Sequence, residues 1–126
     1  MKLGAILSLT GAGAPYGQWI QRAVEMAVED INAASGVHVF EVGQKPLTLL
    51  VRDDRSQPAI GVQAAQELIE EGVVAVIGAV VSDVTLALAP VFQQAEIILM
   101  SPASSTPKLS NAGDFIYRNS IGRAHV

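Results

Sequence analysis

The chain has 126 residues, of which 50% are hydrophobic and 16% charged, with a formal net charge of −4 and no cysteine. That is enough apolar material for one buried core in a single domain, and too much for a disordered chain. It excludes disulfides, thiol catalysis and cysteine–metal centres, and it leaves no basic patch for nucleic acid or acidic lipid.

Residues 3–9 form an apolar, strand-like run, followed by the glycine-rich turn GAGAPYG at residues 11–17. Met1-Lys2 leads straight into this run, so no signal peptide is read at the start. A helix is predicted over residues 16–34. Ile20, Ala23, Val24, Ala27, Val28 and Ile31 fall on one face at helical spacing, and Gly36 suits the stop. Residues 37–46 read as a loop or a small hairpin. The second strand is predicted at residues 47–51. It ends in Arg52-Asp53-Asp54-Arg55, which reads as a solvated strand end with the acids pairing to an arginine.

Pro58 suits the first position of a second helix, where its missing N–H costs nothing. Ala59, Val62, Ala65, Leu68 and Ile69 make its apolar face, and Gly72 ends it. The continuous apolar run at residues 73–80 predicts a central strand covered on both faces. A third helix is expected over residues 83–94, with Ser82 as its N-cap and Pro90 kinking or shortening it. A fourth strand at residues 96–100 leads into a long polar loop with a helical turn near Lys108. Residues 115–120 form the fifth strand. No apolar stretch is long enough to span a bilayer. No helix follows the fifth strand, so the sequence reads as cut.

Alternating strands and helices predict an α/β fold. The expected architecture is a three-layer, doubly wound parallel sheet with right-handed crossovers and the flavodoxin-like strand order 2-1-3-4-5. Ligands in such sheets sit beyond the carboxyl ends of the strands, where strand order reverses. Three loops converge there: GAGAPYG after the first strand, GAVVSDV after the third and SPASSTP after the fourth. They supply the hydroxyls of Ser82, Ser101, Ser104, Ser105 and Thr106, helix N-terminal amides, and the rings of Tyr16 and Trp19. Their one carboxylate is Asp83, and they hold no His, Lys or Arg. This equipment suits hydrogen bonding to a small anionic or polar group. It gives a serine no base, so catalysis is not expected.

Other chemistries fit less well. In a dinucleotide fingerprint the third glycine would precede Gly17 by one position, and Pro15 stiffens the turn where a pyrophosphate needs close approach. Asp53 or Asp54 would be the ribose-binding acid in that reading. A phosphoacceptor domain would carry its acidic pair after the first strand, not the second. His38 and His125 have no partner at ligand spacing, so no metal or other cofactor is expected.

The quoted motifs carry a resemblance. The turn with Tyr16-Gly17, the Asp-x-x-Ser-x-Pro helix start, the Val-Ile-Gly strand with its serine, and SPASS-x-P occur in order over nearly the whole chain. The sequence resembles the N-terminal lobe of type I periplasmic solute-binding proteins of ABC transporters, of the branched-chain amino acid class. The resemblance implies a non-catalytic lobe over residues 1–120, with residues 121–126 starting the first hinge or forming a truncated tail. It implies that Ser82 and Ser105 hold a ligand carboxylate with backbone groups at Ala103 and Ser104, and that Tyr16 packs against the ligand. Trp19 and Asp83 stand as further candidates. The implied setting is periplasmic or extracellular, with a small amino acid or similar solute as ligand and a membrane permease complex as partner of the full-length protein. A sensing domain of a regulator or receptor is the alternative role. The missing cover over the sheet predicts a homodimer or a swapped oligomer for the isolated lobe.

Overall fold

The computed structural model describes residues 1–120. In chain order the strands are β1 (Lys2–Leu7), β2 (Val37–Val39), β3 (Gly43–Lys45), β4 (Thr48–Asp53), β5 (Ala75–Gly78), β6 (Ile98–Ser101) and β7 (Ile116–Arg118). The helices are α1 (Ala14–Ala33), α2 (Pro58–Glu70) and α3 (Ser82–Ala95). Five strands pair in parallel in the order β4-β1-β5-β6-β7, which is the expected 2-1-3-4-5 once the hairpin strands are set aside. The expected start of a hinge at residues 121–126 lies outside the described residues.

Strand alternation sends successive side chains to opposite faces. Ile6, Val76, Leu99 and Ile116 point to one side, where Leu68, Val84, Leu88 and Phe92 of α2 and α3 complete the larger core. Ala5, Leu7 and Val80 point to the other, against Ile20 of α1 and beside Leu49 and Val51. The three layers are therefore unequal. Among the described residues two helices cover one face of the sheet, and a single helix covers part of the other.

The structure corrects four sequence expectations. The run at residues 73–80 is not covered on both faces: Val76 and Gly78 are buried, Ala75 and Ile77 are half-buried, and Val74 is 53% exposed. On α1 only Gly17, Val24 and Val28 are buried, while Ala23, Ala27 and Ile31 of the expected face are exposed. In α2 the buried set is Gly61, Ala64, Ala65 and Leu68, and Ala59 is exposed. Pro90 does not shorten α3, which continues to Ala95.

Residues 37–45 form an antiparallel hairpin outside the main sheet. Asn32 bridges its base: its amide nitrogen donates to the Leu47 carbonyl at 2.9 Å, and the Leu47 N–H donates back at 2.7 Å. The polar loop after β6 contains a 3-10 turn at Pro107–Asn111, capped by the Thr106 hydroxyl, near where the sequence suggested one.

Candidate functional site

Where the sheet order reverses, the ends of β1, β5 and β6 open into a cleft of about 410 Å³. Its walls are Ala12, Gly13 and Tyr16 from the first turn, Val80, Val81 and Ser82 from the start of α3, and Ala103 and Ser105 from the loop after β6. The three loops expected to converge do converge. The volume falls within the range of small-molecule pockets.

The first turn owes its shape to two glycines. Gly11 has φ +84°, a left-handed conformation that glycine adopts without strain. Gly17 lies where α1 meets the end of β1, and a Cβ there would collide with the Ser8 carbonyl. Gly17 is therefore a packing residue between helix and strand. Pro15 lies two residues before it inside α1, and Ala12, Gly13 and Tyr16 of this turn line the cleft.

The amides come from α3. Its N-cap is Val81, extended at φ −76° and ψ 131°, and no side chain caps the helix. This corrects the expectation for Ser82, which occupies the first helical position instead. Val81 and Ser82 thus bring the start of α3, the positive end of its dipole, to the cleft wall, with the Val84 N–H already taken by the Val81 carbonyl. Such an end accommodates an anion. Asp83 lies in the same first turn but is exposed and does not line the cleft.

Beneath the cleft lies a buried hydroxyl network. Ser101 donates to the Ala79 carbonyl at 2.7 Å, and its oxygen accepts the Ser104 N–H at 3.0 Å. The Ser104 hydroxyl lies 2.7 Å from that of Thr85, which accepts the Ala79 N–H at 3.1 Å. Ser104 is 1% exposed and is not part of the cleft wall. Its amide and hydroxyl serve the floor, whereas Tyr16, Ser82, Ala103 and Ser105 meet at the surface. Trp19 stands apart, 71% exposed with the Arg22 guanidinium 5.6 Å from its ring centroid.

The acidic pair after β4 also departs from expectation. Asp53 accepts the N–H groups of Leu9, Thr10 and Arg55 and the Thr10 hydroxyl. Asp54 is wholly buried and accepts the Ser8 hydroxyl at 2.9 Å and the Ser56 N–H at 2.8 Å. Burial pushes the Asp54 carboxyl above its ordinary value, aided by the Asp53 charge and opposed by its two hydrogen bonds. Burial acts the same way on Asp53, but its hydrogen bonds outweigh it and hold that carboxyl below the ordinary value. Among the described residues neither acid pairs with an arginine side chain: Arg52 instead bridges Glu67 and Glu71. Among the described residues no cluster of His, Asp and Glu converges as metal ligands would.

The periplasmic binding protein family matches residues 1–121. The chain belongs to that family. This binding-protein chain is 31% identical over 111 residues to the Leu/Ile/Val-binding protein BraC3 of Rhizobium johnstonii, covering 88% of its own length and 29% of the relative's. It is 34% identical over 105 residues to an amino acid binding protein of Pseudomonas aeruginosa. In three dimensions it superposes on the branched-chain amino acid transporter substrate binding protein LivJ of Streptococcus pneumoniae, solved with isoleucine. The TM-score is 0.90 at 26% identity, over 97% of this chain and 34% of the other. A solute binding protein of Rhodopseudomonas palustris, solved with 3,4-dihydroxybenzoic acid, superposes at a TM-score of 0.85 and 26% identity. The chain thus spans about a third of the length of the proteins it matches.

Proposed function

We propose that residues 1–120 are one lobe of a solute-binding receptor of an ABC transporter, and that the cleft holds the carboxylate of a small amino acid or a related solute. The observation that carries the reading is that the start of α3, at Val81 and Ser82, lines the cleft between the first turn and the loop after β6. The Ser82 and Ser105 hydroxyls and the backbone at Ala103 flank that start and supply further hydrogen bonds. Tyr16 offers its ring to the apolar part of the solute. Isoleucine and 3,4-dihydroxybenzoic acid, the solutes named for two structural neighbours, differ in every part except the carboxylate. A site built around an anion-binding helix end suits that shared group.

The role is binding without catalysis, in the periplasm or outside the cell, with delivery to a membrane permease complex by the full-length protein. Closure of a second lobe by hinge bending would complete the cleft. Charge-assisted hydrogen bonds contribute about 1.5–3 kcal/mol each, and two or three of them on an open lobe largely offset the cost of association. The expected affinity of this chain for L-leucine or L-isoleucine is therefore about millimolar or weaker. An NMR titration with either amino acid tests this. Shifts should concentrate at residues 80–83 and 103–105. Shifts confined to other surfaces, or micromolar affinity, would overturn the half-cleft reading. The open side of the sheet at Ile77, Ile98, Met100 and Tyr117 is proposed to bury itself against a second copy of the chain.

A further inference from the structure

The 53–56 loop contributes no side chain to the cleft wall, yet it is bonded at every turn to the segment that does. Asp53 gathers the N–H groups of Leu9 and Thr10 and the Thr10 hydroxyl, the last at 2.7 Å. The Ser56 hydroxyl accepts the Gly13 N–H at 2.9 Å and donates to the Thr10 carbonyl at 2.9 Å. Asp54 fixes Ser56 from below through its N–H and reaches Ser8 through the hydroxyl. Gly13 and Tyr16 are cleft residues, and Gly13 itself, with Leu9 and Thr10 before it, is tied to this loop.

Two features of the loop are costly in themselves. Arg55 and Ser56 have φ of +53° and +58°, successive non-glycine residues in the left-handed region. Asp54 is buried with Oδ2 lacking a hydrogen-bond partner among the described residues. A buried carboxyl with an unmatched oxygen is a poor source of stability. Both features leave Asp54 Oδ1 and the Ser56 hydroxyl fixed where the first turn needs an acceptor.

We propose that Asp54 and Ser56 are positioning residues for solute binding: together they set the Gly13–Tyr16 wall of the cleft from a neighbouring strand. The proposal rests on the solute-cleft reading. Ser8 belongs to the same relay, because it lies under Gly13 and shares Asp54 Oδ1 with Ser56.

The test uses the 126-residue chain, L-leucine as the probe, and NMR. Ser56→Gly removes the hydroxyl while relieving the left-handed strain, so thermal stability should hardly move. The affinity for L-leucine should fall about three- to tenfold, and amide shifts and exchange at Gly13, Ala14 and Tyr16 should change without solute present. Asp54→Asn, which keeps an Oδ1 acceptor, should stay near the parent, and Asp54→Ala should behave like Ser56→Gly. Unchanged affinity in a folded Ser56→Gly chain overturns the proposal, as does a loss that merely tracks unfolding. If the parent shows no response to L-leucine, the cleft reading fails. The amides of Gly13, Ala14 and Tyr16 then decide the positioning claim separately: unmoved in Ser56→Gly, they overturn it.

Discussion

Ser101 and Ala79 are joined by a 2.7 Å hydrogen bond between two wholly buried partners, linking the ends of β6 and β5 directly under the cleft. The same serine oxygen receives the Ser104 N–H. Ser101→Ala would leave the Ser104 N–H without its acceptor in a dry place, and the Ala79 carbonyl with only the longer 3.3 Å approach of the Ser104 hydroxyl. The expected cost is about 1–3 kcal/mol, seen as a lower denaturant midpoint with an unchanged slope. A midpoint equal to that of the parent would show that the floor repacks around the loss.

Ser82 and Ser105 line the cleft from different loops, so their contributions to binding should be separable. Ser82→Ala and Ser105→Ala should each weaken L-leucine binding by about tenfold, with thermal midpoints close to the parent. NMR titration reads this directly. Full affinity in the double variant would mean that the helix amides act alone.

The acidic pair gives stability opposite slopes on either side of the ordinary aspartate value of 3.8. Asp53 is held below 3.8 in the fold, so its contribution is present above 3.8 and is lost as pH falls through its lowered folded value. Asp54 is raised, so the fold binds its proton more tightly than the open chain does, and stability declines as pH climbs from 3.8 toward the folded value. Asp54→Asn should remove only the second slope. Relative to the parent, the variant should therefore gain stability as pH rises above 3.8. Denaturant melts at a series of pH values check this, and parallel profiles for parent and variant would refute it.

Gly17 allows α1 to rest on the end of β1. A methyl group there would collide with backbone, which cannot rotate away. Gly17→Ala should destabilise the chain by about 3 kcal/mol or more, despite alanine being the better helix former. A mild effect, read by thermal unfolding, would require α1 to slide without loss.

Met100 and Ile98 point from β6 to the side of the sheet that α1 leaves open, and both are exposed. The parent chain should self-associate in sedimentation velocity at high concentration. Met100→Glu, which places a charge on that surface, should shift it toward monomer. A parent that stays monomeric throughout argues against self-burial of this face.

Strand order and helix placement were legible because they follow from local periodicity and from the rules of parallel sheets. The convergence of the three loops followed from the same topology, whereas the choice of Tyr16, Ser82, Ala103 and Ser105 within them came with the family resemblance. What escaped was set by contacts far apart in sequence. Asp54 looks like a charged strand end until Ser8, 46 residues earlier, is found beneath it. Ser104 looks like a loop hydroxyl until Thr85 and Ala79 enclose it. The open side of β5 depends on how far one helix extends across a sheet, which no apolar run encodes. Ser82 was placed one residue too early in its helical role because Val81 takes the extended N-cap conformation without a capping side chain.

Asn32 closes the chain on itself at Leu47 with a two-way hydrogen bond, so the path into β4 is settled before the hairpin between them has any say. The hairpin, with Phe40 and Glu41 at its exposed tip, is consequently a detour whose two ends are already knotted together. Its length and composition are free to drift, and a fluorophore, an affinity tag or a whole inserted domain could be carried there on the far side of a clasp that shields the sheet from whatever is hung on it.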